Sequence, residues 1–213
     1  MTTDTKPKYL AALFDLDGVL VDTENIYTSF WANEGSRYGK PATFAMDIKG
    51  TTLSDILSRH FHPSMHREVE KAIHDFEDNM PYVLFPGVRE FLNALRDLGI
   101  PMAIVTSSDD KKMNSLRKQQ PELLEMMDAI IDGSMVTRSK PHPEGYLIAA
   151  TRLKVQPNRC VVFEDSLQGL EAGRRSGAMV VGLPTTNSKE QVEPLCDVMI
   201  ESFENLTPAE LGF

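Results

Sequence analysis

Short apolar runs alternate with amphipathic stretches along most of this chain, and that rhythm constrains the fold more than any other feature. The runs are Tyr9–Phe14, Pro101–Val105, Ala129–Ile131, Arg159–Phe163, Ala178–Gly182 and Asp197–Ile200. Helical patterns lie between most of them, at Val88–Leu98, Lys111–Lys118, Glu144–Leu153 and Leu167–Ser176. Several runs are continuously apolar rather than alternating, which suits parallel strands covered on both faces. Strand and helix in alternation predict an α/β fold with a doubly wound, mostly parallel sheet.

One segment departs from this rhythm. From about Asp22 to Tyr82 the pattern predicts three helices, Thr28–Tyr38, Thr52–His60 and Met65–Asn79, and no strand. The sequence therefore divides into an α/β core, residues 1–21 and 86–213, and a small all-helical cap, residues 22–85, inserted after the first strand. The cap would lie over the carboxyl edge of the sheet.

In open α/β sheets, ligands bind in the crevice at the carboxyl ends of the strands. Asp15, Asp17 and Gly18 follow the first run, and Thr106, Ser107 and Ser108 follow "MAIV". Ser139-Lys140-Pro141 precedes the helix at Glu144, and Glu164, Asp165 and Ser166 follow "CVVF". Each group alone has a structural explanation. An Asp after a strand, or Thr-Ser-Ser before a helix, caps the next turn. Glu164 and Asp165 would complement a helix dipole, and Lys140 would be a solvated loop residue. Together they mean more, because four carboxylates at one edge repel each other unless a cation joins them. Oxygen ligands with sites left for water and phosphate suit Mg²⁺.

The four segments stand as "DLDGVLVD", "VTSS", "SKPHP" and "FEDSLQGLEAG". In their order and spacing the chain resembles the haloacid dehalogenase superfamily, in the phosphatase and β-phosphoglucomutase branch that carries a helical cap. The resemblance implies Asp15 as nucleophile and Asp17 as general acid and base. It implies Thr106, Ser107 and Lys140 as phosphate-binding groups. Asp15, Asp165, Glu164 and the backbone carbonyl of Asp17 would hold Mg²⁺. The activity implied is hydrolysis of a small phosphorylated metabolite, such as a sugar phosphate, through an aspartyl-phosphate intermediate. The dehalogenases of the superfamily lack the second aspartate, so Asp17 argues against dehalogenation.

The cap loop "IKGTTLSD", residues 48 to 55, is the expected place for substrate choice, with Lys49 and Gly50 as candidates. Relatives of the mutase type place an arginine where Leu53 stands and a histidine where Tyr27 stands. They meet a second phosphate where this chain has Asp109 and Asp110. These departures favour a phosphatase over a phosphomutase; an inorganic pyrophosphatase is a further alternative. A phosphorylated receiver domain would use similar acids, but at about half the length and without the insert.

The remaining candidates read as structure. Phe30 and Trp31 belong to the cap's own core or, as the alternative, line the pocket, and His142 belongs to a loop. His60, His62, His66 and His74 have no zinc-like spacing. Lys111, Lys112, Arg117 and Lys118 read as the wet face of one helix. A net charge of −9 predicts no nucleic-acid or anionic-membrane partner. The polar start, Met1 to Lys8, lacks a signal-peptide pattern, and no run approaches the roughly 20 apolar residues of a membrane span. A cytoplasmic monomer with reduced Cys160 and Cys196 is expected.

Overall fold

A computed structural model describes residues 7–49 and 51–213. Six strands, β1 (Ala11–Phe14), β2 (Met102–Val105), β3 (Ala129–Ile131), β4 (Cys160–Glu164), β5 (Met179–Gly182) and β6 (Val198–Met199), form one sheet. Its order is β3-β2-β1-β4-β5-β6, and every pairing is parallel. β1 is central, and the strand order reverses between β1 and β4. That reversal opens the crevice in which doubly wound sheets hold their ligands.

The continuous apolar runs are explained by burial on both faces. Ala12 and Phe14 point into one cluster, where Phe14 stacks on Phe163 with ring centroids 4.6 Å apart. Helix α5 (Val88–Asp97) closes this face with Phe91, Leu92 and Leu95, and α6 (Asp110–Gln119) and α7 (Pro121–Glu125) extend it. Ala11 and Leu13 point the other way, against α8 (Glu144–Leu153) and α9 (Leu167–Ser176). A last short helix, α10 (Lys189–Val192), covers β5 through Val192. The predicted strands all occur: Ala129–Ile131 is unchanged, β4 starts one residue later and gains Glu164, and the other four lose one or two residues at their ends. Three short helices escaped prediction, α7, α10 and one in the insert, because four or five residues carry no readable period.

The insert holds α1 (Glu24–Arg37), α2 (Phe44–Asp47), α3 (Leu53–His60) and α4 (His66–Glu77). Its own apolar cluster joins Trp31, Phe44, Ile56, Phe61, Val69 and Ile73. Trp31 and Phe30 are therefore cap-core residues, as expected. The two crossings between core and insert run side by side, with Asp22 N donating to Val83 O at 2.8 Å and Phe85 N to Leu20 O at 3.0 Å. Further polar contacts seat the insert on the core: Ser139 on Asp55, Ser115 on Asp78, and His74 Nε2 on Asp109 Oδ2 at 2.8 Å. Both cysteines are free thiols. Among the described residues no helix is long and apolar enough to cross a membrane.

Candidate active site

β1 ends by delivering Asp15 into the crevice, its backbone N–H donating to Phe163 O at 3.0 Å. The chain then turns back on itself, with Gly18 N bonded to Val21 O at 2.9 Å and Val21 N to Leu16 O at 3.0 Å. Gly18 makes this possible twice over. Its φ of +78° is costly for residues with a side chain, and an added Cβ would sit 2.0 Å from Asp165 Oδ2. The tight turn thus presses the first acidic loop against the fourth.

Lys140 is the centre of the cluster. Its Nζ donates to Asp15 Oδ1 at 2.7 Å, Glu164 Oε1 at 2.6 Å and Val105 O at 3.2 Å. These contacts use all three of its donors. Lys140 is only 8% exposed, so it is no solvated loop residue. Burial pushes the Asp15 carboxyl up to about 7, against the pull of Lys140. Burial alone would lower the Lys140 ammonium, but Asp15 and Glu164 together hold it above the usual lysine range.

Glu164 has no exposed surface. Besides Lys140, its Oε1 accepts from Tyr146 OH at 2.7 Å. Its Oε2 accepts from Asp165 N at 2.9 Å, Ser166 N at 3.1 Å and Ser166 Oγ at 3.1 Å. Both oxygens are thus committed to protein donors. Gly169 leaves the room they need, since a Cβ there would fall 1.8 Å from Oε1. Asp165 is buried beside it, its Oδ2 accepting from Thr186 Oγ1.

The second acid of the pair is held differently. Asp17 accepts from Thr23 Oγ1, from Ser108 Oγ at 3.2 Å and from Lys112 Nζ at 2.5 Å. Here the sequence reading needs correction: Lys112 is no wet-face residue. It is 4% exposed, and its ammonium also lies 4.0 Å from the Tyr27 ring centroid. A single-residue step of about 100° around α6 faces it inward, while Lys111 stays exposed. Sequence reasoning missed Lys112, Thr23, Glu77 and Thr186, all of which lie at or beside the acids. Only the spacing of Lys112 on α6 carried a signal, and neighbouring lysines hid it.

Thr106 follows β2 and is buried, its Oγ1 donating to Ser108 Oγ at 3.0 Å and accepting from Ser108 N at 3.1 Å. It therefore closes a local turn, and it also lines a cavity of about 120 Å³ with Asp15, Asp17, Ser107 and Asp165. Lys49 lines the same cavity from the cap side. Gly50 lies outside the described residues. His142 accepts from Glu144 N at 3.2 Å at the start of α8, as a loop residue should. Among the described residues, His74 is the one cap histidine that joins possible metal ligands, Glu77 and Asp109, where insert meets core.

The donor set fits a hard divalent cation. Oxygens of Asp15, Glu164 and Asp165 lie within 4.8 Å of one another, and Asp15 and Glu164 share the one Lys140 ammonium. An ion would relieve that excess of negative charge, and the Gly18 cradle keeps space beside Asp165.

Residues 9–177 match the family model of the haloacid dehalogenase-like hydrolases. A validoxylamine A 7'-phosphate phosphatase from Streptomyces hygroscopicus subsp. limoneus is 30% identical over 96% of this chain and 99% of its own. Hexitol phosphatase B of Escherichia coli is 29% identical over 97% of this chain and 98% of its own. Among solved structures, a HAD family hydrolase from Deinococcus radiodurans, with bound phosphate and sodium, is 31% identical with a TM-score of 0.71, covering 96% of each chain. With a family model spanning both acid loops and relatives aligned end to end, the chain belongs to the haloacid dehalogenase-like hydrolases.

Proposed function

We propose that this hydrolase is a Mg²⁺-dependent phosphatase that cleaves a small phosphorylated metabolite through a phosphoaspartyl intermediate on Asp15. The observation that carries the reading is the cavity at the β1/β4 reversal that Asp15, Asp17 and Asp165 line, with Lys140 bonded to Asp15 from behind it. The similarity to phosphatases named for validoxylamine 7'-phosphate and hexitols supports a phosphorylated carbohydrate or a close analogue as substrate.

The chemistry follows from what each side chain is able to do. An Asp15 carboxylate oxygen attacks phosphorus, forming a P–O bond as the ester P–O bond breaks. Asp17 gives its proton to the departing alkoxide, then takes one from the water that attacks the phosphoaspartate. The second attack breaks the Asp15–phosphorus bond, releases inorganic phosphate and restores both acids. Lys140 holds Asp15 in place and offsets its charge as the dianionic phosphoryl group arrives. Of its three contacts, the 3.2 Å bond to Val105 O is the longest and the easiest to exchange for a phosphoryl oxygen. Thr106 and Ser107 border the phosphoryl side of the cavity. Glu164 fixes Lys140 and the turn at residues 164–166 through its five accepted hydrogen bonds. Asp15, Asp165 and the main-chain carbonyl of Asp17 would hold Mg²⁺, which when bound neutralises charge on the transferring phosphoryl group.

Three features separate this reading from phosphomutase activity: Leu53 rather than a cation on the cavity wall, Asp109 at its rim, and Tyr27 turned to Glu77 at 2.8 Å. The experiment is phosphate release from sugar phosphates, phosphoglycolate, nucleotides and pyrophosphate, with Mg²⁺ and with chelator. Inorganic phosphate should accumulate with Mg²⁺ only, and Asp15→Asn should abolish it without loss of fold. Substantial turnover by Asp15→Asn would overturn the nucleophile assignment; isomerisation with total ester phosphate conserved would establish a mutase.

A further inference from the structure

The roof of the cavity says more about the substrate than its floor. Opposite the acids, the cap lines it with Trp31, Ile48, Leu53, Ile56 and Ile73. These side chains offer C–H surface and no carboxylate or cation. Trp31, Ile48, Ile56 and Ile73 are anchored in the cap's own buried cluster, with Leu53 packed against it, so the wall is held by packing on both sides.

The charged groups at the rim point the same way. Lys112 is turned to Asp17 at 2.5 Å, which ties it to the catalytic floor. Glu77 and Asp109 both border the cavity, the first with its Oε1 on Tyr27 OH at 2.8 Å, the second capping α6 through Lys112 N at 2.9 Å. Among the described residues, Lys49 is the only cap cation on the wall, and Glu77 and Asp109 line the same cavity. A second phosphate or a carboxylate entering here would trade water for apolar surface and two nearby acids, which is strongly unfavourable. An apolar face would gain from the same move.

We infer that the substrate is a monophosphate ester whose alcohol part carries no second anion and lays an extended C–H or aromatic face against Trp31, Leu53 and Ile73. This rests on the phosphatase reading above and adds to it a substrate class. Leu53, in the first turn of α3, becomes a specificity-determining residue, because a longer cationic side chain there would put charge where the wall now has none.

The test is kcat/KM for four esters of primary alcohols, so that the leaving groups are chemically alike. Cyclohexylmethyl phosphate and glucose 6-phosphate have no second anion; fructose 1,6-bisphosphate and phosphoglycolate each have one. The wild-type protein should prefer the first pair by about 100-fold, and the cyclohexylmethyl ester should be used at least as well as the sugar ester. Leu53→Arg should raise kcat/KM for the bisphosphate by about tenfold and lower it for the cyclohexylmethyl ester. A wild-type preference for the bisphosphate or phosphoglycolate would overturn the inference and leave the phosphatase reading standing, whatever Leu53→Arg does. Phosphate release from none of the four would overturn both.

Discussion

Lys112 Nζ lies 2.5 Å from Asp17 Oδ2, and both side chains are largely shut away from solvent, at 5% and 15% exposure. The lysine comes from α6 and the acid from the turn after β1, so their pairing ties the second motif's helix to the residue proposed to transfer protons. Thr23 and Ser108 also donate to this carboxylate, so removing the lysine leaves Asp17 still hydrogen-bonded. Lys112→Met should therefore fold, with a loss of about 1–3 kcal/mol. Its catalytic effect should depend on the leaving group. An alkyl ester needs a well-placed proton donor, whereas a nitrophenyl ester leaves without one. The kcat for an alkyl phosphate should fall several-fold more than that for 4-nitrophenyl phosphate. Equal losses on the two substrates would reduce Lys112 to a packing residue.

Gly18 supplies a separate handle on the proposed Mg²⁺ site. Alanine at φ +78° carries a conformational penalty of about 1–2 kcal/mol, and its Cβ would fall on Asp165 Oδ2. The carboxylate has to move for the variant to fold at all. Gly18→Ala should raise the Mg²⁺ concentration for half-maximal activity by roughly 10–100-fold, the range seen when metal-ligand orientation is disturbed. Calorimetric titration with Mg²⁺ gives the same answer without turnover. Unchanged affinity would separate Asp165 from ion binding.

These two residues also mark what was legible in the sequence. Asp15, Asp17, Thr106, Lys140, Glu164 and Asp165 were readable because doubly wound topology sends every strand end to one edge. Once the strands were found, the loop residues after them had to meet. The sheet followed for the same reason, since runs such as "CVVFE" need two covered faces. The burial of Lys112 was not legible. Its inward turn is decided by Asp17 and Tyr27, 95 and 85 positions away, and nothing local distinguishes it from Lys111. The double role of Glu164 was likewise hidden, because its five donors come from three separate segments. In the cap, the extent of α1 and the existence of α2 were missed where tertiary packing, rather than a clear amphipathic period, holds the helix.

Glu77 gives the protein a pH-dependent stability that a substitution should remove. It is 6% exposed, and burial pushes its carboxyl up to about 7 from an ordinary 4.5, against the pull of Lys112. No donor among the described residues reaches its Oε2. Between pH 4.5 and 7 the unfolded chain has released this proton while the folded chain still holds it. Raising the pH through that window favours unfolding, by on the order of 2–3 kcal/mol in all, and the loss is complete above 7. Glu77→Gln keeps an oxygen for Tyr27 OH and has nothing to titrate. Its stability relative to wild type should rise from pH 5 to pH 8 in urea denaturation. Asp15 contributes a slope of the same sign to both proteins, so the difference isolates residue 77. Parallel curves would show that Glu77 is already ionised at low pH in the folded protein.

Lys140 and Glu164 should behave as one unit rather than two. Lys140→Met strands Asp15 and Glu164 as buried carboxylates with no cation between them, a change that costs about 3–5 kcal/mol in such settings. Glu164→Gln has the opposite defect: its amide turns donors toward the Lys140 ammonium or toward the N–H groups of Asp165 and Ser166. With both replaced, the Asp15–Glu164 repulsion that Lys140→Met creates is removed, and the amide no longer faces an ammonium. The double variant should therefore be more stable than the sum of the single losses predicts, by about 0.5–3 kcal/mol. Denaturant midpoints of the four proteins measure this directly, and activity does not enter. Additive losses would mean that Glu164 orders the turn at residues 164–166 independently of Lys140. Non-additivity would establish that the carboxylate least exposed in the crevice does its work through the lysine that faces the nucleophile.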